Sequence, residues 1–180
     1  MTTGPSESAL ARLARWRVPA GFVCAAVAYG IAAPTLGSIL LGGLVGLPGE
    51  ALRVWAAGHL VKGREVTGSG PYRFFRHPLY LGSTFLGAGF AVASHALVVA
   101  GLVAVYMSTT LLIAVRAEEA ILDARFAGAY TAYREGRAAP VDRPFSLQRV
   151  AANHEFRTMA GFVMALALMY VRSLVTLPWN

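Results

Sequence analysis

The chain has 180 residues, 56% hydrophobic and 14% charged, with a mean hydropathy of +0.54. Soluble domains carry about 25% charged residues, so this composition excludes an ordinary water-soluble fold and reads as one small polytopic membrane domain over residues 1–180. The net charge of +7 would suit nucleic acid, but the placement of the cations excludes it, and the single cysteine, Cys24, allows neither an intramolecular disulfide nor a cysteine metal cluster.

In chain order, residues 1–11 are expected to be disordered. The first apolar segment runs from Val18 to Ala33, after Arg12, Arg15, Trp16 and Arg17. It continues past the Ala26-Val27-Ala28 triplet and turns straight into the next segment, which argues for a retained helix and against a cleaved signal peptide. Cys24 lies within it as a small apolar residue. The second segment runs from Leu36 to about Leu60, interrupted by Pro48, Glu50 and Arg53. Glu50 and Arg53 are three residues apart and suited to pair with each other; Glu50 is left outside the expected site.

The third segment begins at Pro78 and ends near Ala93, the fourth spans Ala96 to Val115, and the fifth runs from about Met159 to Leu177. A bilayer crossing takes roughly 20 residues. The links at 33–37 and 93–96 are short and uncharged, so segments 1–2 and 3–4 are expected to form helical hairpins. Of the 16 Lys and Arg, 14 fall on one side of this arrangement; Arg53 and Arg172 are the exceptions. The positive-inside rule then predicts an all-α protein with about five transmembrane helices, the N-terminus in the cytoplasm, and a cytoplasmic helical extension after the fourth helix. The preference for arginine and alanine over lysine points to a GC-rich bacterial source, hence the inner membrane.

Two polar constellations interrupt the apolar pattern. The first is GPYRFFRHPLYLG, Gly70 to Gly82. A proline pushes the preceding residue out of the helical region and is well suited to the first helical position, so His77 should border a helix beginning at Pro78. Tyr80 and Leu81 follow on one helical face. Free N–H groups, His77, Arg73 and Arg76 would attract an anion; the same arginines, with Tyr72 and Tyr80, would equally serve as an interfacial lipid anchor.

The second is RAEEAILDARFAGAYTAY, Arg116 to Tyr133. Val115, Glu119, Leu122, Phe126, Tyr130 and Tyr133 recur at helical spacing and form one stripe. Glu119 belongs to this mostly apolar stripe and needs a partner, either an arginine in a structural ion pair or a ligand. Glu118 is expected to turn toward water with Arg125. Because segments 3 and 4 form a hairpin, His77 and Glu119 should meet at the cytoplasmic face.

Together these residues resemble the isoprenylcysteine carboxyl methyltransferase and phospholipid methyltransferase group of integral membrane enzymes. The patterns are G-P-Y-R-x-x-R-H-P-x-Y-x-G at 70–82 and E-E-x-x-L-x-x-x-F-x-x-x-Y-x-x-Y at 118–133. The chain departs from the group at Phe126-Ala127, where Phe-Gly is common, and in the tail from Ala139 to Pro144. The resemblance implies S-adenosyl-L-methionine as cofactor, held by Arg76, His77, Pro78, Tyr80, Leu81, Gly82, Glu118 and Glu119, with no metal.

Methyl transfer from an activated donor needs chiefly alignment and desolvation. The expected acceptor is lipophilic and drawn from the bilayer, first a carboxylate held by Arg116 or Arg53, with Glu119 at the reacting centre. The alternatives are a phospholipid amine, for which Glu119 or His77 would act as base, and a non-enzymatic transporter or assembly protein built on the same scaffold.

Overall fold

The computed structural model describes residues 19–126, 128–139 and 141–176, which form helices and connecting loops with no strand among them. The segment expected to be disordered, the three N-terminal arginines and Leu177 lie outside the described residues. The helices are α1 (Pro19–Ile31), α2 (Leu36–His59), α3 (Pro78–Ser94), α4 (Leu97–Phe126), α5 (Gly128–Arg134), α6 (Leu147–Ala152) and α7 (Glu155–Thr176), with a 3-10 turn at Gly70–Arg73 before α3. Three of them, α2, α4 and α7, are long and apolar enough to cross a membrane. They expose Leu40, Leu44, Leu47, Val105, Leu112, Val163 and Val171, an outer surface that suits acyl chains and not water.

Helix α2 begins on a capping box. Thr35 Oγ1 accepts from the Ser38 N–H at 3.1 Å, and Ser38 Oγ accepts from the Thr35 N–H at 2.9 Å. The helix then runs unbroken for 24 residues through Pro48, Glu50 and Arg53. What stabilises it is close packing on α3. A Cβ on Gly49 would sit 2.6 Å from the Gly82 carbonyl oxygen, and one on Gly89 would sit 2.9 Å from the Gly46 nitrogen. Small residues facing each other bring the two backbones together where lipid supplies no hydrophobic drive for association.

At one end of the bundle the two short links lie side by side. The Ala33 N–H donates to the Ser94 carbonyl at 3.0 Å, and His95 ends α3 in the left-handed region. Arg172, near the end of α7, donates to the Ala32 and Gly30 carbonyls at 3.0 and 2.7 Å. These are orphan acceptors at a helix C-terminus, where a cation is favoured.

The opposite end gathers the polar residues. Asn153 Nδ2 donates to the Ala57 and Leu60 carbonyls at 3.0 and 3.1 Å, and Arg149 Nε donates to Gly58 O at 2.7 Å. The α6 region therefore caps the C-terminus of α2. The segment before it is tied down by Arg143, whose Nη2 lies 2.8 Å from Glu65 Oε2. Gly70 adopts φ +57°, and a Cβ there would lie 2.6 Å from the His59 ring. Only glycine suits both the positive φ and the contact.

Candidate functional site

At the polar end a cleft of about 710 Å³ opens between the C-terminus of α2, the 3-10 turn, the start of α3, the end of α4, and α5. That volume falls within the roughly 300–1,000 Å³ of small-molecule sites. Its lining includes Arg53, Tyr72, Arg76, His77, Pro78, Tyr80, Glu118, Tyr130, Tyr133 and Glu155, with Ile121, Leu122 and Phe126 forming an apolar wall.

His77 and Glu119 meet as the hairpin predicts. His77 is the N-cap of α3, with Pro78 in the first turn. Its Nε2 lies 3.2 Å from Glu119 Oε1. A carboxylate can only accept, so His77 carries its proton on Nε2. The Tyr130 hydroxyl donates to the same Oε1 at 3.0 Å. Oε2 of Glu119 has no partner among the described residues and remains able to accept from a ligand.

The single stripe expected from Val115 to Tyr133 is not one helix. In a straight helix Tyr130 would lie about 16 Å along the axis from Glu119, given 1.5 Å per residue. Instead the chain forms two helices, α4 and α5, and Tyr130 turns back to Glu119. Tyr133, on the same short helix, donates to the Tyr72 carbonyl at 2.7 Å. With this pair of tyrosines α5 fastens the end of α4 to the turn before α3.

The apolar run of α4 ends at Val115, so Glu119 lies beyond it. The hydrogen bond from His77 holds the Glu119 carboxyl below the usual range; the Tyr130 hydroxyl and the charges of His77 and Arg76 act in the same direction, while partial burial opposes them. Burial and the hydrogen bond to Glu119 push the Tyr130 phenol up. Tyr72 is raised by burial first and then by the nearby Glu118 carboxylate.

The remaining expected residues divide. Arg76 is exposed, lines the cleft and has no hydrogen-bond partner among the described residues. Arg73 is instead paired with Asp142 at 3.1 Å. Pro78 and Tyr80 line the cleft, whereas Leu81 and Gly82 do not. Gly82 is a packing glycine, its built Cβ 2.7 Å from the Gly49 carbonyl oxygen. Glu118 does not simply turn toward water; it is half-buried and lines the cleft.

The two arginines expected to hold a carboxylate acceptor are unsuited to that task. Arg116 is exposed and outside the cleft lining. Arg53 does line it, but all five N–H donors are spent within the protein. Nε and Nη2 bind Glu155 at 2.6 and 3.0 Å, Nη2 also reaches Thr158 at 3.2 Å, and Nη1 reaches Leu79 O at 3.0 Å and Ser83. The expected Glu50–Arg53 pair does not form either, because Glu155 takes that place. The sequence reading missed Glu155; its only signal there is an acidic residue opening a long apolar helix.

Residues 51–129 match the phospholipid methyltransferase family. This is one of the integral membrane methyltransferase groups that the two motifs resemble. No curated protein and no solved structure matches the chain. The matched segment runs from the second half of α2 into α5 and contains Arg53, Tyr72, His77, Glu118 and Glu119. Tyr130, Tyr133 and Glu155 lie beyond it. The site is therefore completed by residues outside the matched segment, which reach it on α5 and α7. Among the described residues no cluster of His, Cys, Asp and Glu could hold a metal ion.

Proposed function

We propose that the protein is an S-adenosylmethionine-dependent methyltransferase acting on a lipophilic acceptor at the cytoplasmic face of the membrane, and that the accepting group is an amine. The observation that carries the proposal is the convergence of His77 and Tyr130, which both line the cleft, on one oxygen of Glu119, which is not itself part of the lining, in a cleft that also presents the Glu118 carboxylate and the Arg76 guanidinium.

The donor set fits the cofactor. Glu119 Oε2 suits an ammonium or ribose hydroxyls, Arg76 suits a carboxylate, and Ile121, Leu122 and Phe126 offer an apolar wall. When bound, the cofactor supplies a methyl group already activated on a sulfonium sulfur. The chain's own work is then to orient the partners and exclude water. His77 and Tyr130 fix the Glu119 carboxylate in one orientation, so a ligand meets a pre-formed acceptor.

The choice of an amine rests on Glu118; the cations of the cleft, Lys62, Arg76 and Arg125, would by themselves also suit a carboxylate. Arg53 is committed to Glu155, and Arg116 stands outside the cleft, so neither serves a carboxylate acceptor. An amine must instead shed a proton, and Glu118 is a cleft carboxylate with no protein partner.

In the membrane, α1 and α3 complete five crossings with α2, α4 and α7. Helix α4 has 30 residues, about 45 Å of helix against roughly 30 Å of hydrocarbon. The part beyond Arg116 then stands in the cytoplasm, the side on which the positive-inside rule sets most of the cations. A bacterial inner membrane suits this orientation.

Calorimetry with S-adenosylhomocysteine on the detergent-purified protein tests the reading. Saturable binding is expected; none at millimolar ligand would overturn it in favour of a non-enzymatic membrane protein. Transfer of label from methyl-labelled S-adenosylmethionine into the lipid fraction, compared with the protein fraction, then identifies the acceptor class.

A further inference from the structure

The loop between α2 and the 3-10 turn forms one wall of the cleft, which residues 60–63 and 65–67 line. It has little structure of its own. Among the described residues, 61–67 make two hydrogen bonds with each other. The Arg64 N–H donates to the Val61 carbonyl and the Val61 N–H to Thr67 Oγ1, both at a long 3.4 Å. Gly63 sits at φ +72° against α4, where a Cβ would lie 3.4 Å from Arg125 Nη1. A wall so lightly bonded within itself opens easily unless it is held from outside.

The segment 141–146 holds it, and none of that segment lines the cleft. At one end the Ser146 N–H donates to the Gly58 carbonyl at 3.1 Å. The Phe145 ring stands 6.1 Å from the His59 ring and fills the space left by the missing side chain of Gly58. At the other end Arg73 Nη2 donates to the Val141 carbonyl at 3.2 Å and to Asp142 Oδ1 at 3.1 Å. Between these ends Arg143 grips Glu65 with both arms of its fork, Nη1 on Oε1 and Nη2 on Oε2, the latter at 2.8 Å. Two parallel N–H···O bonds fix direction as well as distance.

The two ion pairs are unequal. Arg73 and Asp142 have side chains 43% and 99% exposed, against 22% and 36% for Arg143 and Glu65. A pair open to water contributes little. Glu65 is also the acid that lines the cleft, and Asp142 is not. The hold on the wall therefore passes mainly through Arg143. Both partners lie outside the two sequence motifs, and Arg143 lies in the tail where the chain departs from the methyltransferase group.

We infer that residues 141–146 are a strap that keeps the cleft wall in its ligand-ready position, with Arg143 as the positioning residue acting through Glu65. The inference rests on the reading of the cleft as the methyl donor's site. Arg143 touches no reacting atom; it acts on where the wall stands. With the pair intact, a ligand meets a wall already in place. Without it the wall is in place only part of the time, and the apparent Kd rises by the inverse of that fraction. The number of sites stays the same.

The test combines S-adenosylhomocysteine calorimetry on the full chain in detergent with hydrogen exchange of residues 61–67 in the ligand-free protein. Arg143→Gln and Glu65→Gln are each expected to raise Kd by roughly 10-fold, as for a wall in place about a tenth of the time. Both should keep the parent's number of sites and show faster exchange at 61–67. The reversed pair, Arg143→Glu with Glu65→Arg, is expected to recover most of the affinity that Arg143→Glu alone loses. Asp142→Asn, at the exposed pair, should stay within about 2-fold of the parent.

Fewer sites at an unchanged Kd would mean that the ion pair serves folding alone, and would overturn the strap. Unchanged affinity in both single variants overturns it too, as does a reversed pair no better than Arg143→Glu. A parent that binds no S-adenosylhomocysteine removes the methyltransferase reading, and exchange alone then decides. Faster exchange at 61–67 in Arg143→Gln keeps the strap as the device that positions this wall; unchanged exchange overturns it.

Discussion

His77 Nε2 and Glu119 Oε1 stand 3.2 Å apart across the mouth of the α3–α4 hairpin, although 42 residues separate them in the chain. The short turn at His95 makes the contact possible, by sending α4 back along α3 so that the start of one helix faces the end of the other.

Removing either partner should weaken cofactor binding while the protein still inserts. A hydrogen bond to a charged group contributes about 1.5–3 kcal/mol, so Glu119→Gln and His77→Ala are each expected to weaken S-adenosylhomocysteine binding by roughly 10- to 100-fold. Calorimetry reads this directly. Normal binding by both variants would exclude the pair from the site.

The same pair should leave a pH signature. The folded-state value of Glu119 lies below its ordinary 4.5, so its contribution to stability is complete above that value. It is lost as the pH falls through the depressed folded value. Thermal melts in detergent should therefore show an acid-side loss of stability that is smaller in Glu119→Gln than in the parent.

Tyr130→Phe and Tyr133→Phe each delete one hydroxyl, which in Tyr130 donates to Glu119 and in Tyr133 to the Tyr72 carbonyl and more distantly to that of Phe75, with an expected cost of about 0.5–1.5 kcal/mol. Tyr133→Phe releases the Tyr72 carbonyl, so cleavage near the 3-10 turn in limited proteolysis should quicken. Tyr130→Phe should leave that cleavage unchanged, because its bond is to Glu119.

A glycine of the α2–α3 crossing and a glycine on α4 predict opposite signs for one chemical change. In Gly82→Ala the new methyl would lie 2.7 Å from a backbone oxygen, whereas at Gly101 nothing lies within 4 Å. Overpacking costs typically about 1–3 kcal/mol, while Gly→Ala at an unstrained position gains about 0.4–1 kcal/mol. Melting temperatures should fall for Gly82→Ala and rise for Gly101→Ala.

Arg53, Glu155 and Glu50 make a third contrast. The Arg53–Glu155 pair is nearly buried, with side chains 14% and 3% exposed. Arg53→Met strands the Glu155 charge and should cost about 3–5 kcal/mol; replacing both residues with apolar ones should restore most of that loss. Both carboxyl oxygens of Glu50 are buried without a hydrogen-bond partner. Glu50→Met removes that burden and should stabilise the protein by about 1–3 kcal/mol. A destabilised Glu50→Met would mean that Glu50 has a partner in the membrane.

The sequence by itself determined the apolar helices, the two tight links and the facing of His77 and Glu119. Each of these follows from local quantities: hydrophobic length, the proline after His77, and links too short for anything but antiparallel neighbours. Only the tertiary structure decided how the polar groups are shared. Periodicity carried the Glu119 stripe straight on to Tyr133, but Tyr130, on the short helix α5, comes back to Glu119. Helical spacing paired Arg53 with Glu50, but Arg53 found Glu155, 102 residues away. A guanidinium with five donors is satisfied by whichever helices pack around it, and no spacing along one helix records that. Which carboxylate is spent and which is left for a ligand, Glu119 or Glu118, is likewise set by packing between helices.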